Sequence, residues 1–195
     1  MFIHMNPKKK AIVKETLETL GTAIILALII RAFIIQPFKI PTGSMEPTLM
    51  PHDRILVLRY VYGLRIPFTF KRITKFTKPK TGDIVVFNYP EDPKRAFIKR
   101  CIGTPGDKVE IKNGRVIING DPLKRNPFNK IYYYNRGTYG QENKEIEIPD
   151  NAFFVLGDNS ASSKDSRYWG ILDDKYILGK AVFIYWPLKR MRLLH

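Results

Sequence analysis

Residues 84–104 read IVVFNYPEDPKRAFIKRCIGT, and this stretch decides the fold. Two runs within it, residues 84–89 and 96–104, are rich in the β-branched and aromatic side chains that strands favour. Prolines and acidic residues between the runs favour a turn. The stretch therefore predicts two strands of an antiparallel sheet.

Short runs of the same kind continue along most of the chain. They cover residues 55–62, 109–112, 116–119, 152–156 and 177–186. Asn113-Gly114 joins two of them and is a strong signal for a tight hairpin. Beyond residue 51 we find no segment with a convincing helical period, so we predict a mainly β fold.

One long apolar run lies near the N-terminus. Residues 21–35 are apolar except for Thr22 and Arg31. Because a membrane span needs about 20 mostly apolar residues, we expect a transmembrane helix from about residue 17 to about residue 38. Arg31 then lies close enough to the C-terminal end of this helix for its side chain to reach the lipid headgroups. The lysines before the run predict a cytoplasmic N-terminus and a translocated C-terminal body; they are Lys8, Lys9, Lys10 and Lys14.

Two alternatives for this run are a buried core helix and a cleavable secretory signal. A cleavable signal would have small residues at a cleavage site after its apolar part. Gln36, Pro37, Phe38 and Lys39 stand there instead. The sequence therefore favours an anchor that is not cleaved.

These patterns predict a division of the chain. We expect a cytoplasmic segment at residues 1–14 and a transmembrane anchor at 15–36. A discontinuous antiparallel β domain is expected over 37–103 and 152–195, interrupted by a small β insertion at 104–151.

The composition limits the partners and cofactors of the chain. Its 33 lysine and arginine residues against 18 acidic residues give a formal charge of +15. This charge favours an anionic neighbour, either a phospholipid surface or a nucleic acid. Cys101 is the only cysteine, and His4, His52 and His195 lack the spacing of zinc ligands. We expect no internal disulfide, no structural metal and no other cofactor.

A serine stands in a proline-rich loop directly after the apolar run. Residues 38–51 read FKIPTGSMEPTLMP, with Ser44 between Pro41 and Pro47. The prolines fix their own φ and disfavour α geometry in the residues before them, while Gly43 permits close backbone approach to a ligand. Ser44 is therefore a candidate nucleophile in a stiff loop, although the same residues also fit a plain structural turn.

A serine nucleophile needs a base, and no histidine suits that role here. His4 is expected in the cytoplasm, His195 ends the chain, and His52 lies in the loop of Ser44 itself. No Gly-x-Ser-x-Gly sequence surrounds Ser44, so an α/β-hydrolase is not expected.

Lys99 is the candidate base. Strand alternation places it on the same side as Phe97 and Cys101, with Ile98 and Arg100 on the opposite side. Burial on a partly apolar face disfavours the charged ammonium and lowers the pKa toward neutrality, where an amine accepts a proton. The alternative is a strand lysine whose amine stays in solvent.

Five short sequence blocks follow the N-terminal apolar run in a fixed order. They are PTGSMEPTL at 41–49, GDIVVF at 82–87, FIKR at 97–100, GDKV at 106–109, and 157–170, which begins with GDN and ends with DSRYWG. Together they closely resemble bacterial type I signal peptidases, also called leader peptidases. The resemblance runs from about Ala32 to Trp186.

This resemblance implies a membrane-bound serine endopeptidase that removes signal peptides from translocated preproteins. Ser44 matches the nucleophile and Lys99 the general base. Thr42 matches a hydroxyl that helps to bind the oxyanion together with the Ser44 N–H. Ser163 matches the serine that orients the lysine amine, although three other serines crowd the same loop.

The resemblance also implies supporting and substrate-binding residues. Residues 160–166 form a serine-rich loop. Asp158, Asp165 and Arg167 match charged positions that hold this serine-rich loop in place. Two shallow pockets for small side chains, of the alanine-x-alanine pattern, would be lined by Phe38, Ile40, Met45, Leu49, Val86, Phe97 and Ile98. An extended substrate would lie along a strand edge near Ile40 or Val86.

On the same resemblance, the partners are preprotein signal peptides and the phospholipid membrane, with no nucleic acid. The protein would cross the bacterial cytoplasmic membrane once, with its catalytic domain on the outer face. Two other functions are compatible with parts of the pattern. One is a self-cleaving repressor with a related Ser/Lys β core, which would need a DNA-binding helical domain. The other is a membrane-tethered basic β module without catalysis.

Overall fold

The computed structural model describes residues 7–66, 69–74 and 76–194 of the 195-residue chain. A long helix, α1 (Pro7–Phe33), precedes a body whose regular structure, within those residues, is mainly strands, with five short 3-10 helices between them. The strands are β1 (Ile35–Lys39), β2 (Arg54–Leu58), β3 (Ile84–Tyr89), β4 (Asp92–Gly103), β5 (Lys108–Lys112), β6 (Arg115–Ile118), β7 (Asp121–Pro122), β8 (Ile146–Glu147), β9 (Ala152–Leu156), β10 (Leu172–Asp173), β11 (Ile177–Trp186) and β12 (Arg192–Leu193). One four-residue helix, α2 (Ser166–Trp169), lies between β9 and β10. The predicted mainly β class is confirmed.

The apolar helix ends earlier than the sequence predicts. We expected helix to about residue 38, but α1 stops at Phe33 and Ile35–Lys39 forms β1, paired with β2. Pro37 explains the difference, because it lacks an N–H for the helix and disfavours helical geometry at Gln36. The helix also begins earlier, at Pro7, a residue well suited to a first helical position. Residues 1–6 of the predicted cytoplasmic segment, with His4, and the terminal His195 lie outside the described residues.

The side chains of α1 do not belong to the core of the body. Leu17 is 62% exposed and Ile25 is 60% exposed, and the most apolar window of the helix has no buried residue. The segment from Lys8 to Phe33 is long and apolar enough to cross a membrane. The alternative of a buried core helix is therefore wrong.

The larger sheet places β4 beside β3 and β9. It has eight strands in the order β1-β2-β11-β3-β4-β9-β10, with β12 paired to β11. The two strands predicted from residues 84–104 are present and pair with each other as a hairpin, whose register places Val85 opposite Lys99. β4 begins four residues before the predicted start, because Asp92 pairs with Tyr89 across a short turn.

A second, four-stranded sheet lies within residues 104–151, in the order β7-β6-β5-β8. Its β5–β6 hairpin turns at Asn113 and Gly114, with φ of 50° and 71°. Two successive positive φ values are the geometry that Asn-Gly favours in a two-residue hairpin loop. This hairpin is confirmed.

The predicted alternation along β4 is also confirmed. Phe97 and Cys101 pack in one core cluster with Val85 and Phe87. Ile98 packs against a different cluster. β4 therefore contributes to two hydrophobic clusters, and Lys99, in the buried second half of the strand, has little access to solvent.

Candidate active site

The loop that carries Ser44 is pinned at its base and by its apolar side chains. At the base, Ile40 N–H donates to Asp53 O at 2.9 Å and His52 N–H donates to Ile40 O at 2.8 Å. Met45 and Leu49 are completely buried in the core below. Burial of these neighbours leaves Ser44 partly exposed above them.

β4 brings Lys99 to Ser44. The lysine is only 3% exposed, and its Nζ lies 2.8 Å from Ser44 Oγ. The amine also donates to the carbonyl oxygen of Ile98 at 2.9 Å. A serine hydroxyl in contact with a buried amine is an arrangement that can generate a nucleophile.

Burial controls the protonation of this amine. It lowers the pKa of Lys99 from 10.5 to about 8, because an ammonium in a water-poor site has lost its hydration. The carboxylates of Asp165 and Asp158 oppose this effect, and the Arg167 guanidinium adds to it. A large fraction of the amine is therefore neutral at mildly alkaline pH.

A cleft of about 550 Å³ opens beside the pair. One wall is formed by residues 41–44 and the other by residues 95–99, with Ser162 and Lys164 at its edge. Thr42 lines the first wall. Within the described residues, neither its hydroxyl nor the Ser44 N–H makes a hydrogen bond, so both donors are available to a ligand.

Ser163 is the serine of its loop that lies against Ser44. It is 5% exposed, and its hydroxyl has no hydrogen-bond partner within the described residues. A Cβ on Gly157 would stand 2.2 Å from Ser163 Oγ and 2.5 Å from Ser44 O, so the two groups meet at this glycine. The hydrogen bond that we expected between Ser163 and Lys99 is not made here, since Lys99 Nζ donates to Ser44 and Ile98.

The other serines of the loop have different partners. Ser160 Oγ accepts hydrogen bonds from Arg167 Nη1 and the Tyr134 N–H. Ser166 Oγ accepts from the Val155 N–H at 3.0 Å.

Two buried ion pairs surround this loop. Asp165 pairs with Arg167 at 2.8 Å, and its carboxylate also accepts from the Gly157 N–H at 3.0 Å. Asp158 pairs instead with Arg100 of β4, at 2.7 Å. We had not singled out Arg100, although it stands next to Lys99 in the FIKR block.

Asn159 is a second residue that the sequence analysis missed. Its backbone N–H donates to Ser44 O and its side-chain Nδ2 donates to Gly43 O, both at 3.1 Å. It therefore ties the serine-rich loop to the loop of Ser44. The sequence feature that could have identified Asn159 is its position in the GDN block.

The predicted pocket residues separate into two groups. Phe97 and Ile98 line the cleft. Ile40, Met45, Leu49 and Val86 are at most 2% exposed and belong to the core beneath it, and Phe38 packs against that core. The structure places these five residues beneath the cleft rather than in its wall, and their part in binding a substrate stays a prediction.

Val86 is also not at a strand edge. It pairs with Gly179 of β11 on one side and with Ile98 of β4 on the other. Both backbone groups of Ile40 are bonded as well, to Asp53 and His52. Neither residue offers the strand edge that we expected for a substrate.

Comparison with known proteins assigns the chain to a class and then to a family. A family model described as signal peptidase, peptidase S26, matches residues 13–186. The chain is therefore a serine endopeptidase. It belongs to the signal peptidase family, peptidase S26, as the sequence blocks predicted. This membership excludes the two other functions considered, the self-cleaving repressor and the basic β module without catalysis. The apolar helix fits the membrane anchor of such an enzyme.

Its relatives match over most of their length. Signal peptidase I of Leptolyngbya laminosa is 38% identical over an alignment of 193 positions that covers 95% of this chain and 86% of the relative. Probable signal peptidase I-2 of Synechocystis sp. is 39% identical over 183 residues, covering 91% and 75%. A crystal structure of a signal peptidase I from Enterococcus faecalis V583 has a TM-score of 0.44 at 30% identity, covering 54% of this chain and 98% of that one.

Proposed function

We propose that this enzyme removes N-terminal signal peptides from translocated preproteins, with Ser44 as nucleophile and Lys99 as general base. The family supports the reaction, since its members carry the name signal peptidase. The observation that carries the residue roles is the contact of 2.8 Å between Ser44 Oγ and a nearly fully buried Lys99 Nζ, beside an open cleft.

In the first half of the reaction, neutral Lys99 accepts the Ser44 proton while Oγ attacks the scissile carbonyl carbon. The Ser44 N–H and the Thr42 hydroxyl stabilise the oxyanion, each donor contributing a factor of about 10² to 10³. The Lys99 ammonium then gives its proton to the leaving amine as the peptide bond breaks. An ester between Ser44 and the signal peptide remains.

In the second half, a water molecule takes the place of the leaving amine. Lys99, neutral again, accepts a proton from that water as it attacks the ester, and returns it to Ser44 Oγ. We assign Ser163 to orient the amine when it is not bonded to Ser44, because its buried hydroxyl has no other partner within the described residues.

We propose that the substrate binds as an extended strand along β4. Strand β9 pairs with β4 only from Arg100 to Gly103. Within the described residues no strand covers the same edge at residues 94–98, which forms a wall of the cleft. The backbone groups of Cys101 bond to Gly82 and Asp83 on the β3 side, so by alternation the Ile98 carbonyl faces the opposite, uncovered edge. Backbone hydrogen bonds to such an edge supply affinity that does not depend on the side chains of the substrate.

Specificity for small residues, in the alanine-x-alanine pattern, follows from the packed floor of the cleft. The side chains below it, Ile40, Met45, Leu49 and Val86, are at most 2% exposed and leave no deep pocket. A large side chain would need these residues to move, and overpacking a core costs about 1 to 3 kcal/mol.

We also propose the membrane arrangement and the domain division. Helix α1 crosses the cytoplasmic membrane once, with the N-terminal lysines inside and the body on the outer face. Residues 37–103 and 152–195 form the catalytic unit, and 104–151 form the insertion. Tethering raises the local concentration of an enzyme whose substrates arrive with their own apolar segment in the bilayer.

The residue roles are tested with the full-length protein in detergent and a purified preprotein. We expect Ser44→Ala and Lys99→Met to abolish cleavage. Lys112→Met is the matched control, because Lys112 is an exposed lysine at the end of β5, and it should cleave at the wild-type rate. Cleavage by either of the first two variants would contradict the assignment.

The same assay followed from pH 6 to pH 10 tests the state of the amine. Only neutral Lys99 accepts a proton, so kcat/KM should rise by about 50-fold between pH 6 and pH 8 and then level off. A profile that is flat across this range would exclude Lys99 as the base.

A further inference from the structure

A segment of the insertion is rigidly attached to the small sheet although it has no regular structure. Within residues 132–140, Tyr133 is completely buried and its N–H donates to Gly114 O at 2.8 Å. Asn135 Nδ2 donates to Ile111 O at 2.8 Å and to Gly140 O at 3.0 Å. The segment is therefore bonded to β5 and to the turn that follows it.

The other side of this segment is bonded to the serine-rich loop. Arg167 Nη1 donates to Tyr134 O at 2.9 Å, and the Tyr139 N–H donates to Arg167 O at 2.8 Å. Arg136 Nη1 donates to Ala161 O at 2.7 Å. These bonds hold Arg167 at both its guanidinium and its backbone.

The contact leaves no free space. A Cβ on Gly137 would stand 2.3 Å from Arg167 O and 3.0 Å from Tyr168 Cα, and φ of Gly137 is +70°. A Cβ on Gly140 would stand 2.7 Å from Arg167 Cγ. The backbone of the segment thus lies directly against Arg167.

Arg167 connects this contact to the reacting groups. It donates to the Asp165 carboxylate and to the carbonyl oxygens of Ser160 and Ser163. The same loop reaches Ser44 O through the Asn159 N–H. A path of hydrogen bonds and loop backbone therefore joins residues 132–140 to the nucleophile.

We propose that residues 132–140 are a positioning segment for the catalytic pair: they hold Arg167, and through it the loop 157–167, in the place that keeps Lys99 buried against Ser44. The inference rests on the roles proposed above for these two residues. It gives the insertion a part in the reaction although its residues do not line the cleft.

The electrostatics of the site support this role and provide a readout. Three charged groups act on the amine: Asp165 and Asp158 raise the pKa of Lys99, whereas Arg167 lowers it. Burial is the largest influence on this pKa, and loosening the segment would admit water to the amine. Hydration favours the ammonium, so the pKa of Lys99 should rise.

The test compares two glycine variants of the full-length protein in detergent, with a purified preprotein as substrate. Gly137→Ala introduces a Cβ that Arg167 cannot accommodate. Gly120→Ala is the matched control, because Gly120 has a similar φ of +88° but no atom within 4 Å of the added Cβ. Both variants carry the backbone strain, and only one disturbs Arg167.

For Gly137→Ala we expect kcat to fall about 10- to 100-fold, the order of magnitude for a misplaced catalytic group. KM should stay within about twofold of wild type, and the midpoint of the kcat/KM profile should rise by about half a pH unit or more. Gly120→Ala should keep the wild-type kcat and midpoint. A folded Gly137→Ala enzyme with wild-type kcat and midpoint would overturn the proposal.

If Gly137→Ala does not fold, Asn135→Ala tests the proposal instead. This substitution removes two hydrogen bonds at an exposed position. We expect a smaller fall in kcat with the same upward shift of the midpoint. An Asn135→Ala enzyme with wild-type kcat and midpoint would overturn the proposal. An Asn135→Ala protein that does not fold would also overturn it, because the segment would then be required for folding rather than for positioning. A wild-type enzyme that does not cleave, or an active Ser44→Ala, would instead refute the proposed function.

Discussion

At the scale of single residues, the site is built at the expense of stability. An amine whose pKa is lowered from 10.5 to about 8 has lost roughly 3 kcal/mol of favourable interaction in its charged form. The unfolded chain holds this proton between pH 8 and pH 10.5 and the folded chain does not. Stability from this group therefore rises with pH through that window, and the full penalty applies below pH 8.

Replacing the amine should therefore stabilise the protein. We expect Lys99→Met to raise the free energy of unfolding at pH 7 by up to about 3 kcal/mol, with part of the gain offset by the lost hydrogen bonds to Ser44 and Ile98. The gain should shrink as the pH approaches 10.5. Denaturant unfolding at pH 7 and pH 10 measures both effects. A variant that is less stable than wild type at pH 7 would show that the lysine is not penalised by burial.

At the scale of elements, one ion pair connects three parts of the site. Arg100 of β4 donates to Asp158, which follows β9, and both side chains are at most 1% exposed. The Thr48 hydroxyl, from the loop of Ser44, donates to the same carboxylate. The relative position of the Ser44 loop, strand β4 and the serine-rich loop depends on this cluster.

Removing the charge from this pair should be costly. Asp158→Asn keeps the shape but weakens the compensation of a buried guanidinium, so we expect a loss of about 3 kcal/mol in the free energy of unfolding. Glu145→Gln is the matched control: its pair with Lys108 is about half exposed and should contribute less than about 1 kcal/mol. Equal losses in the two variants would show that burial does not determine the strength of these pairs.

At the scale of the whole molecule, the helix and the body are nearly independent. The apolar side chains of α1 are exposed, and the helix joins the body at Ile34 and β1. The core clusters consist of residues beyond the helix. The body should therefore fold without α1.

Deleting residues 1–33 tests this independence. We expect the remaining chain to unfold within a few degrees of the wild-type Tm and to cleave a soluble signal-peptide substrate. Most of the basic residues remain, so it should bind anionic vesicles weakly and release them at high salt, while binding to neutral vesicles is lost. Failure to fold, or unchanged binding to neutral vesicles, would contradict the separation of anchor and body.

Much of this protein could be predicted from local sequence. The β-branched runs at residues 84–89, 152–156 and 177–186 match strands β3, β9 and β11, because strand propensity and alternation act within a few neighbours. The Asn113-Gly114 hairpin depends on only two residues. Ser44 and Lys99 were identified as candidates from their blocks, and the structure places them in contact.

Features that depend on residues far apart in the chain were decided only by the packing of the sheets. The order of residues does not say that Ile35 leaves the helix to pair with Leu58 of β2, that Asp158 meets Arg100, or that Val86 is enclosed between two strands. Nor does it show that residues 132–140 close over Arg167. Local pattern specifies which residues prefer a strand or a turn, whereas burial and partner choice follow from long-range contacts that exist only once the chain has folded.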